Sequence, residues 1–309
     1  MPSRSEHHAI VAAVDGSPSS TAAVEWAAQD AELRHLPLHL VHVVPPAVVP
    51  AGPWPQAPVE LLEALDAEGS QILHDAQTLA LQATSPSRAA NVTTEMLHSP
   101  IVPTLIDLSQ DATMVVLGCR GTGTVETALL GSVSSGLVHY AHCPVAVIHD
   151  EDPLVARSPK APVLVGIDGS PTSELATEIA FDEASRRRAR LVALHAWSDM
   201  GPLEFPSINW APIEWRNIKE RETEVLTERL CGWQERYPDV VVEKIVVADR
   251  PAPRLLEHAH SAQLVVVGSH GRGGFPGMLL GSVSRTVVNS ARIPVIVARL
   301  SRGATLPGS

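Results

Sequence analysis

The sequence is poor in cysteine, in positive charge and in long apolar runs. Three cysteines in 309 residues, with no C-x-x-C pair, indicate neither a disulfide framework nor a zinc site. A formal net charge of −11 leaves no broad basic surface for nucleic-acid phosphates or anionic lipid. No apolar run approaches the ~20 residues of a membrane span, and the first residues lack the layout of a signal peptide. We therefore expect a soluble, cytoplasmic protein without nucleic-acid or membrane partners.

The chain contains a glycine-rich stretch that occurs twice. The copies begin at Gly118 and Gly268, share the pattern Gly-x2-Gly-x9-Gly-Ser-Val-Ser, and each follows an apolar run typical of a buried parallel strand. Glycines let the backbone approach a ligand closely, and the N-terminus of the helix that follows attracts an anion. One such turn often needs glycine only for its conformation. Two copies in the same context favour a phosphate-binding loop.

A second repeated element is the tetrapeptide Asp-Gly-Ser-Pro, which begins at Asp15 and at Asp168. Each copy ends the first strand of its half, and Ser-Pro predicts the N-cap and first residue of a helix. Both halves then read β-α-β-α-β-α-β-α-β, which predicts an α/β fold: a doubly wound parallel five-stranded sheet with helices on both faces. The repeat predicts domains 1–150 and 162–309, joined by a charged, proline-containing linker over 151–161.

Ligands of such sheets bind at the carboxyl ends of the strands, where the strand order reverses. With the order 3-2-1-4-5, the loops after the first and fourth strands of each half meet at this place. Asp15 is then expected to face the first glycine loop, and Asp168 the second. Two interpretations of these aspartates stay open: they contact a ribose or a metal ion, or they only cap their own turn, since Asp-Gly is common turn chemistry.

Together these features resemble the universal stress protein family in its tandem-domain, ATP-binding form. The matching elements are the strand before Asp-Gly-Ser, a second strand that ends near His42 or His195, and the glycine motif before a helix and a Cys-Pro or Ile-Pro strand. The resemblance covers nearly the whole chain. It implies a 3-2-1-4-5 sheet of the adenine nucleotide alpha hydrolase-like type in each domain. It also implies one site per domain for ATP, with Mg²⁺.

The resemblance assigns matching residues to the two sites, with the glycine motif holding phosphates and ribose and the residue after the second strand contacting adenine. In the first domain the implied residues are Asp15, Val43, Gly118, Arg120, Gly121, Gly131, Ser132, Val133 and Ser134. In the second they are Asp168, Ala196, Gly268, His270, Gly271, Gly281, Ser282, Val283 and Ser284. Arg120 and His270 either touch phosphate or stay solvated. Glu126 in the first loop would repel a triphosphate, so the first site is expected to bind more weakly.

For Gly118 and Gly268 the sequence predicts a specific effect of a Gly→Ala change. If Gly118 and Gly268 end their strands where the backbone meets the nucleotide, a Gly→Ala change at either position should push the ligand away. Because no core atom is removed, the cost in stability should be modest.

The loops lack the Gly-Lys-Ser/Thr of a P-loop, and no further carboxylate or histidine pair recurs in both halves as a general base. Duplicated binding elements without duplicated catalytic elements favour a regulator of stress response or growth, whose bound ATP sets the conformation offered to a protein partner. The alternative is a slow ATPase or an adenylyl-transfer enzyme. We also expect the closing strands, 144–148 and 294–298, to join the halves as an intrachain pseudo-dimer, with a homodimer in addition.

Overall fold

The structure is a computed structural model, and it describes residues 9–46, 59–85, 91–121, 130–149, 160–197, 212–273 and 279–300, with only the backbone of 212–218. The chain divides into two compact units, Met1–Asp150 and Glu151–Ser309. Most of the expected linker, and Glu126 in the first glycine loop, lie outside the described residues. No helix in the described ranges is long and apolar enough to cross a membrane.

The first unit alternates parallel strands with helices. Its elements are β1 Ile10–Ala13, α1 Pro18–Arg34, β2 Leu38–Val44, α2 Val59–Ala83, β3 Val92–His98, α3 Ile101–Leu108, β4 Met114–Gly118, α4 Ser132–Tyr140 and β5 Val145–Ile148. The strands pair in the order β3-β2-β1-β4-β5, and every pair is parallel. The predicted order is therefore confirmed, and β1 and β4 lie side by side at the point where the order reverses.

The second unit repeats this arrangement. Its elements are β6 Val163–Gly166, α5 Pro171–Arg187, β7 Leu191–Ala196, α6 Pro212–Arg236, β8 Val242–Val247, α7 Pro251–Ala259, β9 Leu264–Gly268, α8 Ser282–Ser290 and β10 Val295–Ala298. The parallel order is β8-β7-β6-β9-β10. Valine-rich strands such as β9 are buried along their whole length, as expected for a sheet covered on both faces.

The helix after the first strand of each unit begins as its sequence predicts. Ser17 is the N-cap of α1, its hydroxyl oxygen accepts a hydrogen bond from the Ser20 N–H at 3.2 Å, and Pro18 is the first helical residue. In the second unit Ser170 accepts from the Ser173 N–H at the same distance. A capping side chain of this kind stabilises a helix by about 1 kcal/mol. The caps fix where each helix starts, three residues after the aspartate that follows the strand.

Candidate functional site

Two segments meet at the carboxyl edge of each sheet: the Asp-Gly-Ser turn and the glycine loop. A methyl group built on Gly121 would lie 2.5 Å from Asp15 Oδ2, so this carboxylate lies directly against the loop. In the second unit a methyl group on Gly271 would lie 2.5 Å from Asp168 Oδ2. The N–H of Arg272 donates to the same oxygen at 3.1 Å. The structure thus brings together the residues that strand order predicted to meet.

Each aspartate also caps its own turn. Asp15 Oδ1 accepts a hydrogen bond from the Ser17 N–H at 3.0 Å, and Asp168 Oδ1 accepts from the Ser170 N–H at 2.9 Å. The glycine between the aspartate and the serine is in the left-handed region, with φ of +77° at Gly16 and +78° at Gly169. The capping interpretation is therefore correct for one oxygen, while the second oxygen faces the glycine loop.

Hydroxyl groups at the start of α1 and α5 fasten the glycine loop to the turn. The carbonyl of Arg120 accepts hydrogen bonds from Ser17 at 3.3 Å and from Ser19. The matching carbonyl, that of His270, accepts from Ser170 at 3.2 Å and from Thr172 at 2.6 Å. Ser19 and Thr172 were missed by the sequence analysis. The available signal was a hydroxyl residue at the same place after both Asp-Gly-Ser-Pro copies.

The structure corrects the expectation for Gly118 and Gly268. A methyl group on Gly118 would lie 2.6 Å from the backbone carbonyl carbon of Ser19 in α1. On Gly268 it would lie 2.8 Å from the corresponding carbon of Thr172 in α5. These glycines therefore allow a helix to pass close to the strand end, and the modest stability cost expected for Gly→Ala is wrong.

The glycine motif closes at the start of α4 and α8. The N–H of Gly131 donates to the Cys119 carbonyl at 2.8 Å, and the N–H of Gly281 donates to the Ser269 carbonyl at 2.7 Å. Both glycines are N-cap residues and so carry no capping side chain. The first N–H groups of each helix, at 132–133 and 282–283, are thus the kind of donor that an anion accepts from.

The last serine of the motif has an internal role. Ser134 is 3% exposed, and its hydroxyl donates to the Gly118 carbonyl at 2.7 Å, while Ser284 makes the same bond to Gly268. Ser132 and Ser282 are exposed instead. Of the two serines in each motif, the first therefore faces outward and the second ties the helix to the strand end.

We expect Ser134→Ala to lower the free energy of unfolding by about 1–2 kcal/mol, because the Gly118 carbonyl loses a buried hydrogen bond. Ser132→Ala, two residues earlier in the same helix and exposed, should leave it within about 0.5 kcal/mol of the unaltered chain. Urea unfolding of both variants measures the difference. Equal stability of the two variants would contradict this assignment of Ser134.

The predicted adenine-contacting positions lie where β2 and β7 end. The side chain of Val43 is 7% exposed, so it offers a ligand mainly its backbone, whereas Ala196 is half-buried. The loop cations Arg120 and His270 are half-buried, and His270 Nδ1 lies 3.0 Å from the Ser269 hydroxyl. Val133 and Val283 are half-buried as well, at the second position of their helices.

Comparisons with known proteins agree with the repeat. A model of the universal stress protein family matches residues 6–149 and again 161–299. Universal stress protein Rv1996 of Mycobacterium tuberculosis is 61% identical over 308 residues, covering 96% of this chain and 97% of its own. Rv2005c, a universal stress protein of the same species, is 52% identical over 299 residues, with coverages of 96% and 98%. The crystal structure of a universal stress protein from Archaeoglobus fulgidus has a TM-score of 0.67 at 19% identity, covers 97% of this chain and 98% of its own, and shows the same fold.

Proposed function

Because the chain belongs to the universal stress protein family and carries two of its domains, we propose that it is a cytoplasmic ATP-binding regulator with one nucleotide site per domain. One observation carries the proposal. In both units an aspartate carboxylate lies against a glycine loop that leads into a helix whose N-cap is glycine. We infer that the carboxylate would bind the hydroxyl groups of a nucleotide and the helix N-terminus its phosphates, at the same sheet edge.

The residues present fit an adenine nucleotide. The phosphates would accept hydrogen bonds from the N–H groups at 132–133 and 282–283, where the helix dipole favours negative charge. The ribose would lie beside Asp15 or Asp168, and the adenine beside the backbone of Val43 or Ala196. No group of three His, Cys, Asp or Glu side chains in the described ranges could hold a metal. Mg²⁺ would therefore be bound mainly through the phosphates of ATP.

We expect the protein to leave a bacterial expression host with ATP already bound. A ligand that binds only the native state, present at a thousandfold excess over its Kd, adds ~4 kcal/mol of apparent stability. Heat release of the nucleotide, followed by chromatography, measures the content of the purified protein. A supernatant without adenine nucleotide, from protein never exposed to chelator or denaturant, would contradict the proposal.

The same preparation distinguishes a regulator from an enzyme. A regulator should keep its ATP intact over many minutes, whereas a slow ATPase should convert it to ADP and an adenylyl-transfer enzyme should release AMP or pyrophosphate. Several turnovers per minute that disappear in site variants would favour the enzyme. Three expectations stay predictions: a regulated protein partner, the pairing of the two halves through β5 and β10, and a homodimer.

A further inference from the structure

A histidine near the end of the second strand holds the end of the first strand in each unit. His42 Nδ1 lies 2.7 Å from the Val14 carbonyl, and His195 Nδ1 lies 2.7 Å from the Ile167 carbonyl. Each carbonyl belongs to the residue directly before the aspartate that faces the glycine loop. The histidine thus positions the strand end that precedes this aspartate. Because a carbonyl oxygen can only accept a hydrogen bond, Nδ1 must carry a proton for this bond to form.

The second ring nitrogen has different surroundings in the two units. His195 Nε2 lies 3.1 Å from Glu222 Oε2 on α6, and the His195 side chain is 5% exposed. In the first unit α2 instead places Gly69 against His42, where a methyl group would lie 2.9 Å from the ring carbon Cδ2. In both units the histidine therefore bonds to the end of the first strand. Only in the second unit does a carboxylate, that of Glu222, face the other ring nitrogen in the described residues.

His195 needs a proton on both ring nitrogens to bond to Glu222 and to the Ile167 carbonyl at the same time. A carbonyl oxygen and an ionised carboxylate both accept, while a neutral imidazole has a single N–H, so both bonds form together only when His195 is an imidazolium. When the imidazolium loses a proton, the charge-assisted bond to Glu222 is the stronger one to keep. Nδ1 then turns a lone pair toward the Ile167 carbonyl. A neutral His42 can keep its proton on Nδ1 and its bond to Val14.

Other charged groups near His195 have partners of their own. Lys244 of β8 pairs in register with Ala193, so it lies on the same face of the sheet as His195. Its Nζ donates to Thr227 on α6 at 3.0 Å.

Two further charged side chains, Arg229 and Asp168, lie at the turn that follows Ile167. The guanidinium of Arg229 covers Gly169 and donates to Glu174 at 3.2 Å. Asp168 accepts from two backbone N–H groups. Among these charged groups, Glu222 is thus the one that bonds to the ring directly.

We propose that His195 is a positioning residue of the second nucleotide site, which holds the strand end before Asp168 only while its imidazolium is paired with Glu222. The proposal rests on the proposed ATP site. Second-site ATP affinity then falls by about fivefold between pH 5.5 and pH 8.5, since one hydrogen bond of ordinary strength is lost when the ring is neutral. The first site, where His42 faces Gly69, lacks this dependence.

Glu222→Gln tests the proposal with almost no change in shape. The amide of the new side chain can donate to Nε2 of a neutral His195, which leaves the Nδ1 proton on the Ile167 carbonyl. We expect this variant to bind ATP as tightly at pH 8.5 as the unaltered chain does at pH 5.5. His195→Phe should bind weakly at both pH values. His270, the other histidine of this site, is unchanged in both variants.

The measurement is calorimetric titration of ATP between pH 5.5 and 8.5 into full-length, nucleotide-stripped chains that carry Asp15→Ala, so that the second site alone is read. Each affinity is corrected for the protonation of the terminal phosphate of ATP, which itself changes in this pH range. Nitrogen-15 NMR of the histidine rings, without nucleotide, reports in parallel whether both nitrogens of His195 are protonated at a pH where His42 is neutral.

Each outcome decides a different point. Loss of the pH dependence in Glu222→Gln, with His195 doubly protonated before His42, supports the proposal. A pH dependence that survives Glu222→Gln, or a His195 that titrates as His42 does, overturns it. If no chain binds ATP at any pH, the proposed ATP site fails, and the NMR result alone decides whether the imidazolium and carboxylate form the pair.

Discussion

Gly118→Ala and Gly268→Ala are each expected to lower the free energy of unfolding by about 3 kcal/mol, because the added methyl group meets helix backbone, which can yield only by a shift of the helix. The methyl would lie 2.6 Å from a Ser19 backbone atom in the first unit and 2.8 Å from a Thr172 backbone atom in the second. To accommodate it, α1 or α5 must shift away from the strand end. That shift would also move the hydroxyl groups that fasten the glycine loop.

Gly232→Ala is the matched control for the glycine variants. Gly232 lies within α6, is exposed, and a methyl group there would meet no atom within 4 Å. Alanine should therefore stabilise the helix by roughly 0.5–1 kcal/mol. Urea unfolding of the three variants, followed by circular dichroism, should show opposite shifts for the control and the strand-end variants. Normal stability of Gly118→Ala, with ATP binding lost, would restore the original view that this glycine faces the nucleotide.

Asp15→Ala and Asp168→Ala are each expected to reduce the number of ATP molecules bound per chain from two to one. The carboxylate lies against the glycine loop and caps the turn before it, so its loss would remove the proposed contact with ATP and loosen the turn. We expect affinity at the altered site to fall by at least about tenfold, which corresponds to ~1.4 kcal/mol. The double variant should bind no ATP at concentrations that saturate the unaltered chain.

Glu25→Ala provides the control for lost charge. Glu25 is exposed on α1, in the same unit as Asp15, and its removal changes the net charge by the same amount. Calorimetric titration of this variant should still count two sites. If Asp15→Ala and Asp168→Ala also bind two ATP molecules with unchanged affinity, the aspartates have only their capping role.

Much of the fold follows from local signals in the sequence. The repeated Ser-Pro after each Asp-Gly predicted where α1 and α5 begin, because the cap and the proline act within one turn of helix. The predicted boundaries of helices and strands differ from the observed ones where local signals conflict. The sequence pattern predicts a short helix from Pro103 to Gln110, whereas α3 begins at Ile101, since a proline in the first turn loses no helical hydrogen bond. The sequence pattern predicts a strand from Val240 to Val247, whereas β8 begins at Val242, because the Val240 N–H donates to the Tyr237 carbonyl in the turn after α6.

The features of the site that could not be read from local signals depend on contacts between distant parts of the chain. That Asp15 meets the glycine loop was predictable, because parallel strand order brings the two strand ends together. That Gly118 faces α1 was not, since a glycine pattern does not show which neighbour approaches it. The bond between His195 and Glu222 joins a strand to a helix and has no counterpart at Gly69, so the repeat itself concealed the difference between the two units.

A crystal structure of the chain grown with saturating ATP and Mg²⁺ would test the central claim most directly. The expected result is one nucleotide per domain, with phosphate oxygens within hydrogen-bond distance of the N–H groups at 132–133 and 282–283. The ribose should lie beside Asp15 in one site and Asp168 in the other. Nucleotide bound elsewhere, or both sheet edges without nucleotide at that concentration, would contradict the claim that these loops form ATP sites.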